Sequence, residues 1–255
     1  MTSNIVATMK QERTKDRAAL FPLEANPDTL NHFLSLIGFD VQKYQFVDVL
    51  STSDEDLLNL VPRPAVGVLL VKPSNAPSSD GTDSKPGGDT SVTHENIWHI
   101  SQTIGGACGS VAVLHLIASL QKCLVSGHIC KSNSWLEQFL SSTTRDLDEE
   151  FHRLHNEAAC HQTNQTSHAK LIPGKRVGTT FVALVPVSVG DDGNQGSMRI
   201  VELDGRKSGP VIHGNTSSCT FLRDSCRWIE QNVMKYQPDG KFAILALAAN
   251  KSAEE

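Results

Sequence analysis

Several things this chain lacks narrow what it can be. No apolar run approaches the roughly 20 residues that a membrane-spanning helix needs, so no membrane segment is expected. No basic run is interleaved with the few aromatic residues, and the net charge is −5, which argues against a nucleic-acid binder. Met1 to Arg13 hold no apolar core of the kind a secretory leader has. The six cysteines include no Cys-x-x-Cys pair. Without an export signal they read as reduced thiols of the cytosol or nucleus, not as a disulfide framework. No internal repeat recurs.

What remains is a chain of 255 residues, 39% hydrophobic, enough for one full core. Residues 1–19 are polar and read as a loose extension. Asn26 and Pro27 suit the N-cap and first turn of a helix, Leu30, Phe33, Leu34 and Ile37 recur at helical spacing, and Gly38 ends it. Tyr44–Leu50 alternates like a strand, Ser53–Leu58 opens a helix with acids in its first turn, and Ala65–Val71 reads as a strand buried on both faces. From Lys72 the composition turns to Pro, Ser, Gly and Asp, so residues 72–95 read as a flexible surface loop. Ile97–Ile100 reads as a short strand. Helices are expected at Ser134–Leu140, 144–159 and Thr220–Tyr236. Strands are expected at Thr179–Val187, Met198–Asp204 and Phe242–Leu247, with a hairpin turn at Asp191–Gly196. This mixture implies an α/β or α+β domain with a sheet flanked by helices.

The stretch with the most chemistry is Gln102–Ser110. Gly105, Gly106 and Gly109 surround Cys108, and an apolar helix follows at once. A cysteine at a helix N-terminus meets unpaired N–H groups and the positive end of the dipole, which favour a thiolate. A nucleophile and a buried structural thiol both fit this stretch taken alone.

Other motifs settle the choice. Leu23-Glu24-Ala25-Asn26-Pro27, Phe46-Val47-Asp48-Val49-Leu50, Gln102-Thr103-Ile104-Gly105 with Ala107-Cys108-Gly109, and Glu202-Leu203-Asp204-Gly205-Arg206 followed by Pro210-Val211 and His213-Gly214 occur in this order. Together they resemble the ubiquitin C-terminal hydrolase family of cysteine deubiquitinases over about Leu20 to Ala248. The resemblance implies a papain-like fold, with a central antiparallel sheet between helical lobes and a knotted backbone. It implies a catalytic domain at 20–249 with a crossover loop at 159–176, a tail at 250–255, and a monomer without cofactor or metal. The implied partner is ubiquitin or a ubiquitin-like protein, whose C-terminal adduct is cut off through a thioester. By the same resemblance Cys108 is the nucleophile, Gln102 the oxyanion donor beside the Cys108 N–H, and Asp204 the residue that orients the catalytic histidine.

That histidine is missing. The family's base precedes a Phe; here the Phe is Phe181 and the residue before it is Thr180. A threonine hydroxyl cannot take a proton from a thiol at neutral pH, and general acid–base help is worth about 10²–10⁴ in rate. The chain is therefore either a hydrolase through Cys108 or an impaired ubiquitin-binding relative. His161 or His168, on the loop, offers a substitute base if ubiquitin binding brings it to Cys108. A second departure is Gly106, where the family usually carries Asn. His152 and His155 with Glu157 lack the further ligands of a zinc site and read as a polar helix face. His115 reads as a hydrogen-bonded core histidine.

Overall fold

In the computed structural model, residues 20–74, 97–123, 129–142, 146–163, 178–188 and 198–250 are described. Six antiparallel strands form one sheet in the order β1-β6-β2-β3-β4-β5. They are β1 (Tyr44–Asp48), β2 (Ala65–Pro73), β3 (Thr179–Ser188), β4 (Met198–Leu203), β5 (Val211–Thr216) and β6 (Ala243–Ala249). The helices are α1 (Pro27–Ile37), α2 (Glu55–Asn59), α3 (Cys108–Cys123), α4 (Trp135–Ser141), α5 (Glu149–Thr163) and α6 (Phe221–Asn232). The expected extension 1–19, most of the 72–95 loop, the Asp191–Gly196 turn, residues 164–176 of the crossover loop and the tail beyond Asn250 lie outside the described residues. No helix among the described residues is long and apolar enough to cross a membrane.

Alternation along the strands divides the interior into two layers. Leu69, Val71, Phe181, Ala183, Val201, Leu203, Leu245 and Leu247 face α1, α3 and α5. The residues between them, Val68, Leu70, Leu184, Ile200, Ile244 and Ala246, face Phe221, Leu222, Cys226 and Ile229 of α6. Strands covered on both faces need a nearly continuous apolar run, as β2 has. On α1 the Asn26 side chain accepts from Thr29 N–H at 2.8 Å, and Gly38 closes the helix at φ 94°. Leu30, Phe33, Leu34 and Ile37 are fully buried there, each worth about 1.5–3 kcal/mol.

Four expectations change. Lys72 does not open a surface loop: β2 runs on through Pro73, and Lys72 is only 2% exposed. Ile97–Ile100 joins no sheet, because the Ile100 N–H is spent on the His115 ring (3.2 Å) and Trp98 packs edge-on against Phe139 and His115. The helix expected at 144–159 begins at Glu149, where Asp148 caps it by accepting from Phe151 N–H at 2.9 Å. It continues to Thr163, so His161 stands in its last turn and not on a loop. Strand β5 has no strong sequence signal, because it lies at the sheet edge, contains Gly214 and is mostly solvated.

Candidate active site

The loop before α3 is shaped from two sides. Leu20 donates its N–H to Gly105 O at 2.8 Å, which lays the N-terminal segment against the loop. Gly106 sits at φ +85°, and a Cβ there would lie 2.1 Å from the Leu20 carbonyl oxygen. Any side chain would meet that contact, so the close approach of Leu20 calls for glycine at this position. On the other side Gln102 donates its N–H to Gly205 O at 2.7 Å. A Cβ on Gly205 would stand 2.8 Å from a methyl of Val111 and 3.1 Å from the Gln102 Cβ. The Asp204-Gly205 turn thus docks directly on the loop that carries Cys108. The Gln102 side-chain amide donates one hydrogen to Ile104 O at 3.1 Å and keeps its second.

Cys108 starts α3 and is half-buried. Burial pushes its thiol above the ordinary range. The backbone N–H groups of Phe181, Gly109 and Cys108 itself, and the positive charge of Arg206, pull it down less strongly. This corrects the expectation that the helix terminus alone would favour a thiolate: desolvation wins. The Phe181 N–H belongs to the peptide that joins it to Thr180.

Asp204 is buried, and its carboxylate is already engaged. Oδ1 accepts from the Arg206 backbone N–H at 2.9 Å and from Nε at 3.2 Å, while Oδ2 accepts from Nη2 at 3.0 Å. Such a bidentate pair holds the guanidinium in one place. Thr180 is 2% exposed, and its hydroxyl has no hydrogen-bond partner among the described residues.

The histidines serve structure. His155 is buried, with Nδ1 2.9 Å from Ser110 Oγ and Nε2 on the Phe21 carbonyl, so it ties α5 to α3 and to the N-terminal segment. Burial first pushes it down to about 4. His115 accepts the Ile100 N–H, and burial first, then neighbouring His99, push it down to about 3. His99 escaped the sequence reading; it stacks on His115 at 4.9 Å and reaches the Asp204 backbone oxygen at 3.1 Å. No cluster of metal-ligating side chains occurs among the described residues. The side chain of His161 and all of His168 lie outside the described residues.

Sequence reasoning also missed a buried charged group on the α6 side of the sheet. Lys72 on β2 stands directly opposite Thr180 on β3. Glu202 on β4 is 1% exposed, with Oε1 3.0 Å from Lys207 Nζ and Oε2 2.9 Å from His213 Nε2. His213 in turn lies against Trp228 of α6, 4.1 Å between ring centres. The signal available in the sequence was Lys72 itself, a charge at the end of an apolar β run.

The sequence profile of ubiquitin carboxyl-terminal hydrolase, family 1, matches residues 20–235. The chain belongs to this family. A ubiquitin carboxyl-terminal hydrolase of Aplysia californica is 32% identical, covering 82% of this chain and 92% of that protein. Ubiquitin carboxyl-terminal hydrolase isozyme L1 of Homo sapiens is 30% identical over 89% of this chain and 97% of its own length. Among solved structures, the Trichinella spiralis UCH37 catalytic domain bound to ubiquitin vinyl methyl ester superposes with a TM-score of 0.60 at 19% identity, covering 91% of this chain and 96% of that one. At that identity the likeness speaks for the fold.

The Cys108 loop and the Asp204 turn are bound together by the Gln102 N–H on Gly205 O. The place before Phe181 holds a buried hydroxyl beside a buried lysine.

Proposed function

We propose that this chain is a ubiquitin C-terminal hydrolase, which removes small adducts or peptides from the C-terminal glycine of ubiquitin or a ubiquitin-like protein through a thioester on Cys108. The observation that carries this reading is the docking of the Asp204 turn onto the Cys108 loop within a chain of this family. Cys108 is the nucleophile. Its own N–H and the second hydrogen of the Gln102 amide hold the oxygen that becomes negative when sulfur adds to the carbonyl. Asp204 acts through Arg206: the carboxylate fixes the guanidinium, whose charge lowers the thiol against the effect of burial. No cofactor takes part. The hydrolase works as a monomer in the cytosol or nucleus, where its free thiols at Cys108, Cys130, Cys160, Cys219 and Cys226 stay reduced.

The test is hydrolysis of a ubiquitin C-terminal fluorogenic amide by the natural chain and by Cys108→Ala. Turnover that disappears in the variant is the expected result. Equal signals from both chains would sink the reading. Tight binding of ubiquitin without any release of the fluorophore would replace it with a ubiquitin-binding relative that does not cut.

A further inference from the structure

Two successive carbonyls of the Asp204 turn are held from one short segment. Gly205 O takes the Gln102 N–H at 2.7 Å. Asp204 O lies 3.1 Å from His99 Nε2 and also takes the Lys207 N–H at 2.9 Å. A carbonyl oxygen only accepts, and its two lone pairs suffice for both donors. His99 Nε2 must therefore carry a proton, which fixes the tautomer of the neutral ring. One hydrogen bond lets a turn pivot about it. A second, at the neighbouring peptide, removes that freedom.

His99 is itself held. Its ring lies on that of His115, with centroids 4.9 Å apart and planes 16° apart. His115 is fully buried, takes the Ile100 N–H at 3.2 Å, and meets the edge of Trp98 at 5.6 Å. It follows Cys108 by seven residues, about two helical turns, so the two residues share a face of α3. Residues 98–100 are thus pinned to the middle of α3, and His99 passes that anchorage on to the turn. On its other side the turn has no slack. Gly205 leaves no room for a side chain against Val111 and Gln102, so a pivot would be felt at Gln102 and in the first turn of α3. His99 is only half-buried, so its ring can be exchanged without opening the core.

We propose that His99 is a positioning residue for the reaction at Cys108: by donating to the Asp204 carbonyl, it holds the Asp204–Lys207 turn in register on the loop that carries Gln102 and Cys108. This rests on the hydrolase reading above. The clasp keeps Arg206, on the turn, and the Gln102 amide, on the loop, in one arrangement about the thiol. In this role His99 moves no proton. A misplacement of about 1 Å at such a site costs up to about 10²-fold in rate.

The experiment compares the natural chain with His99→Phe, which keeps a ring on His115 but has no donor, and His99→Gln, whose Nε2 restores a donor without the ring. Two readouts are used: kcat and KM for the ubiquitin C-terminal fluorogenic amide, and hydrogen exchange of the Gln102 and Lys207 backbone amides. The amides of Leu69 in β2 and Leu245 in β6 serve as references within the sheet. His99→Phe should lower kcat by about 10- to 10²-fold with KM unchanged. It should speed exchange at Gln102 and Lys207 by about two- to tenfold, the worth of one hydrogen bond, and leave the references unmoved. His99→Gln should regain most of both. Natural-level kcat and unmoved exchange in His99→Phe would overturn the proposal. So would a loss in His99→Gln as large as in His99→Phe, or exchange that rises equally at Leu69 and Leu245. If the natural chain is inert toward ubiquitin amides, the hydrolase reading fails. Exchange then decides the clasp by itself, faster exchange at Gln102 and Lys207 supporting it and no change overturning it. Should His99→Phe not fold, His99→Leu is judged by the same criteria.

Discussion

Replacing Glu202 by glutamine removes the one negative charge that Lys72, Lys207 and His213 share. Burial by itself would raise the pKa of this carboxyl. The hydrogen bond from His213 and the charges of Lys207 and Lys72 outweigh that, and hold it at about 2, against an ordinary 4.5. Each pKa unit corresponds to about 1.4 kcal/mol, so the ionised form contributes roughly 3 kcal/mol to folding. The folded value is depressed. The contribution is therefore complete above about pH 4.5 and is lost as pH falls from there toward 2. At neutral pH, Glu202→Gln strands buried cations, and breaking such a group costs about 3–5 kcal/mol. The assay is urea unfolding of both chains at a series of pH values from 7 down to the acid limit of the fold. The gap between them should be widest near neutrality and narrow below about pH 4.5. A gap below about 1 kcal/mol at neutral pH, the size of an exposed pair, would refute the reasoning. So would a gap that does not change with pH.

Acid should also act through the buried histidines. The folded pKa of His155 is depressed to about 4, so unfolding takes up a proton, and stability should fall as pH drops from about 6.5 toward 4. His155→Gln should flatten that part of the stability curve. Gly106→Asn should destabilise the chain by about 1–3 kcal/mol and lower turnover, because its Cβ would fall 2.1 Å from Leu20 O. Thermal melts and the fluorogenic amide assay check both effects, and a neutral substitution would mean that Leu20 moves aside. Gly205→Ala should slow turnover without a matching loss of ubiquitin affinity, since the added methyl pushes on Gln102 and Val111. The alkylation rate of Cys108 should climb through the alkaline range, and Thr180→His should bring that rise to lower pH; coincident profiles would show that position 180 does not govern the thiol.

The helix and strand pattern was largely legible because its causes are local. Asn26, Pro27 and Gly38 bound α1 through contacts within a few residues, and the apolar run of β2 is long enough to mark a strand covered on both faces. The glycine-flanked Cys108 ahead of an apolar helix is equally local, as is the order of motifs that places the chain in its family. Misplaced boundaries had local causes too, once the capping atoms were known: Asp148 sets the start of α5 by bonding Phe151.

Sequence alone thus determined the class of fold and the family. Tertiary structure decided the surroundings of individual residues. Lys72 looks like the first residue of a polar loop because its neighbours in sequence are polar. It is buried because β3 pairs with it at Thr180 and β4 brings Glu202 to the same face, from residues more than a hundred positions away. The direction of the Cys108 shift was likewise undecidable from the helix start, because it depends on how much water the rest of the chain removes from the thiol. Pairing and desolvation are long-range quantities, and here they turn an apparent surface lysine into a buried one.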